Sequence, residues 1–198
     1  MSKPIHFSIA LIRSIESEIT RWLVIKNRAA EHWELIISQR LEKEVGSQTL
    51  AREVAWRLDL DRKTDFLVGK MAMLNVEIDV NEFGAERIDF GDFEDDFHNA
   101  NFDGPEEPST DSQSEPSRTV KVEFIPVEVY RQTVLTNLDK KDDVCWVSSA
   151  EICDGKFALN QSDKHSGSEI ESSSKLQNID PSFVAWNLKW KIIQPWIK

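Results

Sequence analysis

Two runs of strand-type sequence, 66–80 and 119–130, stand on either side of a stretch that no protein core can accept. In the first, Leu74, Val76, Ile78 and Val80 alternate with Met73, Asn75, Glu77 and Asp79; Met71 falls on that same second side. In the second, Val120, Val122 and Phe124 alternate with Lys121 and Glu123. Alternation with period two is what a strand shows when its two sides meet different surroundings. Between the runs, residues 82–117 hold twelve acids and a single base, Arg87. The whole chain has 35 Asp and Glu against 24 Lys and Arg, a formal net charge of −11. That one window accounts for all of it, so the rest of the chain is neutral. The arrangement predicts an antiparallel hairpin carrying a long acidic insertion, with Pro126 at an edge or a bulge, because Pro cannot donate to a sheet ladder.

Other elements follow from the same rules. Ile5, Phe7, Ile9 and Leu11 alternate with His6, Ser8 and Ala10, which predicts a half-buried strand over 5–12. Polar residues 13–18 turn the chain. Strands are expected at 20–26, around Trp22 to Ile25, and at 32–37. A helix is predicted from Ser47, as N-cap, to Leu58. Its apolar stripe is Leu50, Ala51, Val54, Ala55 and Leu58, with Glu53, Trp56 and Arg57 on another face. Val144–Val147 reads as a short strand, and Ser148 or Ser149 as the cap of a short helix at 150–153. Residues 155–180 are polar and rich in Ser, and read as a loop or linker. Pro181 opens a last helix, although Trp186, Leu188, Trp190 and Ile192 also alternate as a strand would.

The bulk composition excludes several classes. No net basic face offers itself to nucleic acid. With 40% hydrophobic residues and seven Trp the chain can build a core, so it is not disordered throughout. Cys145 and Cys153 make neither a disulfide framework nor a metal motif, and read as reduced thiols of a cytoplasmic protein. No apolar run approaches the ~20 residues that span a bilayer, and the first residues lack the pattern of a secretory signal.

Chemistry concentrates between Trp33 and Leu60. Seven residues separate Glu44 from the pair Arg52-Glu53, Val54 follows, and Leu60 closes the stretch; Trp33 and Leu35 precede it. The segment resembles the Nudix box of hydrolases acting on nucleoside diphosphate derivatives. That pattern is Gly, five residues, Glu, seven residues, Arg-Glu, an aliphatic, any residue, Glu-Glu, any residue, Gly, an aliphatic. Cys145 to Ile152 resembles the late strand-to-helix corner of the same fold. The resemblance implies a Nudix-like α/β/α sandwich with a mixed sheet and an inserted acidic loop. Its domain would span 1–155, with the flexible insertion at 82–118, a Ser-rich linker at 156–180 and a C-terminal helix at 181–198 packed on the domain.

The departures decide the functional expectation. Ser38 stands where the box has its first Gly, Trp56 and Arg57 where it has Glu-Glu, and Asp59 where it has its second Gly. In the family these glutamates hold Mg²⁺ or Mn²⁺, and such hard cations need clustered oxygen ligands. Here that face keeps Glu53 alone, beside a cation. The expectation is a catalytically impaired, Nudix-like binding or regulatory domain without a resident metal. Arg52, Arg57 and Trp56 are its candidate ligand contacts, for a nucleotide-like molecule or a protein. One alternative is a divergent hydrolase in which Glu53 and Glu44 bind Mg²⁺ or Mn²⁺, with loop acids such as Asp95 and Asp96 as substitutes. Another is an interaction scaffold: Phe90, Phe93, Asp95, Asp96 and Phe97, acids with spaced aromatics, suit a partner with a basic surface. The bland reading of Glu44 and Arg52 is an ion pair that ties loop to helix.

Overall fold

The computed structural model describes residues 5–16, 19–84, 87–88, 119–130, 132–159 and 175–193. Eight strands form one mixed sheet: β1 Ile5–Glu16, β2 Ile19–Asn27, β3 His32–Glu34, β4 Ile37–Gln39, β5 Phe66–Val68, β6 Leu74–Asp79, β7 Thr119–Val129 and β8 Val144–Ser148. Its centre is the parallel pair β1–β7, in register from Ile5↔Val120 to Arg13↔Glu128. The other pairings in this sheet are antiparallel: β1 with β2 and β4, β2 with β3 and β8, β7 with β5 and β6. The predicted hairpin is present, with Leu74 opposite Phe124 and Asp79 opposite Thr119.

Both faces of the central pair are covered, so β1 is not half-buried as its sequence suggests. Phe7, Ile9, Leu11, Val120, Val122 and Phe124 enter one core, with Trp22, Trp33, Phe183 and Trp186. Ala10, Ile12, Ile125 and Val127 enter a second core with Leu50, Val54 and Leu58 of helix α1 (Gly46–Leu58). The first core is closed by α2 (Val80–Phe83), α4 (Ser149–Asp154) and α5 (Pro181–Trp190). Helices therefore lie on both faces of the sheet, the α/β/α sandwich that the box resemblance implies.

Several expectations change. Strand β1 continues through the polar residues to Glu16 before the turn. The single strand expected at 32–37 is two, β3 and β4, broken where Leu35 and Ile36 both turn inward to 2% and 1% exposure. The cap of α1 is Val45 rather than Ser47; its N–H donates to Gln48 Oε1 at 3.2 Å. Pro126 does not sit on an edge. It lies in the central strand opposite the gap between β5 and β6, where Gly69 N–H donates to Pro126 O and Met73 N–H to Phe124 O. Its missing donor falls where the neighbouring strand has no ladder to complete. Phe83 belongs to the core, 4.5 Å from Phe7 and stacked at 5.4 Å on Trp186, so the fixed fold runs past the predicted start of the insertion. Positions 89–118 lie outside the described residues.

Helix α3 (Gln132–Leu138) has no counterpart in the sequence reading. The polar stretch after 155 is not all linker. Strands β9 (Lys156–Leu159) and β10 (Lys175–Asn178) form a second, antiparallel sheet, while positions 160–174 lie outside the described residues. The last element is the helix and not the strand. The Asp180 carboxylate accepts from Ser182 N–H at 3.0 Å, Pro181 occupies the first turn, and Lys191 ends the helix in the left-handed region at φ 54°.

Trp186 is fully buried, whereas Trp56 on α1 is 71% exposed. Trp186→Ala is expected to cost ~3–5 kcal/mol in urea unfolding, against less than ~0.5 kcal/mol for Trp56→Ala, as for a surface site.

Candidate functional site

Helix α1 crosses one face of the sheet and carries the residues singled out by the box spacing. The two acids that the spacing singles out, Glu44 and Glu53, each have a partner. Glu44, in the loop before the helix, accepts from Thr49 Oγ1 at 3.0 Å and pairs with Arg52 Nη1 at 3.3 Å. Arg40 Nε donates to the Glu44 carbonyl. Glu44 and Arg52 thus tie loop to helix, as the bland reading holds. Glu53, half-buried, accepts from Arg57 Nε at 2.9 Å, a pair one helical turn apart. The Arg57 guanidinium in turn lies 5.1 Å over the Trp56 ring. The structure therefore assembles Glu53, Arg57 and Trp56 into one exposed chain of contacts and keeps Glu44 with Arg52 as a separate pair.

Among the described residues, the acids around α1 do not converge on a common point. Among the described residues one set of three His, Cys, Asp or Glu brings its donor atoms within 4.8 Å of one another, and it is His32, Glu34 and Asp180, away from α1. A shell for Mg²⁺ or Mn²⁺ at Glu53 would need oxygen ligands that this face of the helix does not supply. Asp59 shows how the second departure from the box is accommodated. It ends α1 in the left-handed conformation, φ 55° and ψ 52°, with its N–H on Ala55 O. That is a shape Gly adopts freely and Asp tolerates. Phe90, Phe93, Asp95, Asp96 and Phe97 lie outside the described residues.

A second polar group was not legible in the sequence. The register sets His6 of β1 beside Lys121 of β7, and Ser8 beside Glu123. Lys121 pairs with Glu77 at 3.4 Å, and Arg40 with Glu123 at 3.6 Å. Burial and the charges of Arg40 and Lys121 hold the His6 ring below its usual 6.5, Glu123 opposing them. The Glu123 carboxylate rests against the first turn of α1, where the helix dipole favours negative charge. The approach is so close that a Cβ at Gly46 would lie 2.1 Å from Glu123 Oε2 and 2.7 Å from Ser8 Oγ. Ser8 is fully buried, and its hydroxyl has no hydrogen-bond partner among the described residues.

Two cavities stand elsewhere among the described residues. One, of about 510 Å³, lies between Lys26, Arg28, Asp143 and Lys175. The other, of about 630 Å³, lies between Ala30, His32, Ile179, Val184 and Leu188. Neither has a wall formed by α1.

Two strands, a lead-in strand, the box loop and a helix laid across a mixed sheet follow one another in the order that the box resemblance implies. The fold is Nudix-like. No protein-family profile and no curated protein sequence matches the chain. Solved structures do share its course. A Nudix hydrolase from M. smegmatis, RenU, superposes with a TM-score of 0.49 at 10% identity, over 97% of this chain and 87% of that one. The E. coli ORF135 protein gives 0.47 at 11% identity, over 97% and 91%. The C. elegans Ap4A hydrolase gives 0.42 at 7%, over 74% and 81%. These are loose likenesses of layout, and activity has to be judged from the side chains of this Nudix-like domain. Among the described residues no helix is long and apolar enough to cross a membrane.

Gly46→Ala is expected to destabilise by about 1–3 kcal/mol, as overpacking does. Adding Glu123→Ala should recover part of that loss, because the clash partner is then gone. Urea unfolding of both single variants and the double variant measures the coupling.

Proposed function

We propose that this chain is a non-hydrolytic, Nudix-like binding domain that works as a regulatory or accessory component and meets a protein partner through the outer face of α1. The observation that carries this is the chain Glu53–Arg57–Trp56. Arg57 occupies one of the positions where the resemblance calls for a metal-binding glutamate, and it neutralises the remaining acid at 2.9 Å. A divalent ion there would meet one carboxylate already paired and one cation beside it, and both features oppose binding. The same chain has a use in recognition. Trp and Arg dominate the energetics of protein interfaces, and here a Trp 71% exposed is held by a stacked guanidinium. Small ligands prefer concave sites. The exposure of Trp56 and Arg57 on the outer side of the helix favours a protein surface as their partner. Arg52, paired with Glu44, belongs to the loop-to-helix tie rather than to the Trp56–Arg57 group.

Hydrolysis is tested first. With Mg²⁺ or Mn²⁺ and a panel of nucleoside diphosphate derivatives, the protein should turn over no faster than its Glu53→Gln variant. Turnover above that of the variant would restore the hydrolase reading. Binding is tested by affinity capture with wild type, Trp56→Ala and Arg57→Glu. A partner retained by wild type should fall by at least ~5-fold in both variants, the loss expected when a side chain worth about 1 kcal/mol or more is removed from an interface. Equal capture by all three proteins would remove α1 from the interface.

A further inference from the structure

The set His32, Glu34 and Asp180 lies at a junction that the α1 reading does not involve. His32 and Glu34 are two residues apart on β3, so both side chains leave the same face of the strand. Asp180 comes from the far end of the sequence. Trp33 bridges Ile179, and Asp180 N–H donates to Trp33 O at 2.8 Å, which brings the first residue of the α5 cap onto β3.

The three groups are well withdrawn from solvent: the Asp180 side chain is 1% exposed, Glu34 15% and His32 16%. Two acids that share so small a space need compensation. Asp180 has it in Arg87, whose Nη2 donates to Oδ2 at 2.8 Å. Glu34 has no Lys or Arg in ion-pair reach among the described residues. Its neighbours are His32 Nε2 at 3.4 Å and the neutral donor Asn27 Nδ2 at 3.1 Å.

We infer that His32, Glu34 and Asp180 form a site for a divalent transition-metal ion, with Zn²⁺ as the natural occupant. Zn²⁺ binds His nitrogen and Asp or Glu oxygen, and its three-residue sites take water as the fourth ligand. Bonds of about 2.1 Å in a tetrahedral shell set donors ~3.4 Å apart. The donors here lie within 4.8 Å of one another, so side-chain rotation of about an ångström closes the shell. Glu34 is steadied from outside by Asn27 and Asp180 by Ser182 N–H, and an ion here has to compete with the Arg87 guanidinium for Asp180 Oδ2. Such outer donors are what metal-bound carboxylates use to hold their orientation. His32 also lines the neighbouring cavity of about 630 Å³, together with Ala30, Pro181, Val184 and Leu188. An ion held by His32, Glu34 and Asp180 pins the start of α5 to β3.

The full-length protein, freed of metal by a chelator, is titrated with Zn²⁺ by calorimetry and with Co²⁺ by visible absorption. One equivalent of Zn²⁺ should bind with a rise in melting temperature, and Co²⁺ should show the intense bands of four-coordination. His32→Ala and Glu34→Gln should each weaken Zn²⁺ binding by at least ~10-fold. Asp180→Asn, which keeps an N-cap acceptor, should do the same while the protein stays folded. The inference fails if wild type takes up no equivalent of Zn²⁺, or if His32→Ala and Glu34→Gln bind it as tightly as wild type.

Discussion

Everything in this fold hangs on the parallel pairing of β1 with β7. Each strand is covered on both faces, and no nearby turn joins them. Their register sets Phe7 and Ile9 level with Val122 and Phe124 in one core, and Ala10 and Ile12 level with Ile125 and Val127 in the other. Parallel strands ordinarily require both faces to be covered. Here α1 supplies one cover, and α2, α4 and α5 the other. The pairing also creates the polar group under the first turn of α1, since Ser8 and Glu123 meet through it and through nothing else in the local chain.

The chain has carboxylates in plenty, and its structure shows what those around α1 do. Glu44 holds a loop, Glu53 is paired along its own helix, and Glu123 lies at the dipole end of that helix. None is left in a cluster with others. Hydrolysis by a hard metal depends on oxygen ligands converging on one point. Among the described residues, the acids around α1 therefore stand in separate pairs and not in one cluster.

Much of this was legible from local pattern. The alternation of β6 and β7, the stripe of α1, the Ser148 cap and Pro181 at the start of α5 each follow from a few adjacent residues. What escaped depends on distant contacts. Val45 rather than Ser47 caps α1, and Gly46 in its first turn lies against Glu123. Phe83 belongs by composition to an acidic stretch and by packing to the core beside Trp186. The β9–β10 pair is hidden in Ser-rich sequence, since its ends meet across positions 160–174. His32, Glu34 and Asp180 are far apart in sequence, and the bridge from Trp33 to Ile179 is what unites them. Single-sequence reading reaches periodicity and caps; parallel register and long bridges lie beyond it.

The partners at the centre of the sheet are 115 positions apart, Ile5 with Val120. On a ribosome adding about 5–20 residues per second, β1 would wait roughly 6–23 s before β7 is made. Through that interval β2 and β4 can reach its one side, while the other side keeps a row of open backbone groups between apolar faces. Such an edge is a template for pairing with another chain. The nascent protein is thus most exposed to aggregation while its first strand awaits a partner encoded past the middle of the sequence. That vulnerability comes from strand order alone and would persist whatever the finished domain binds.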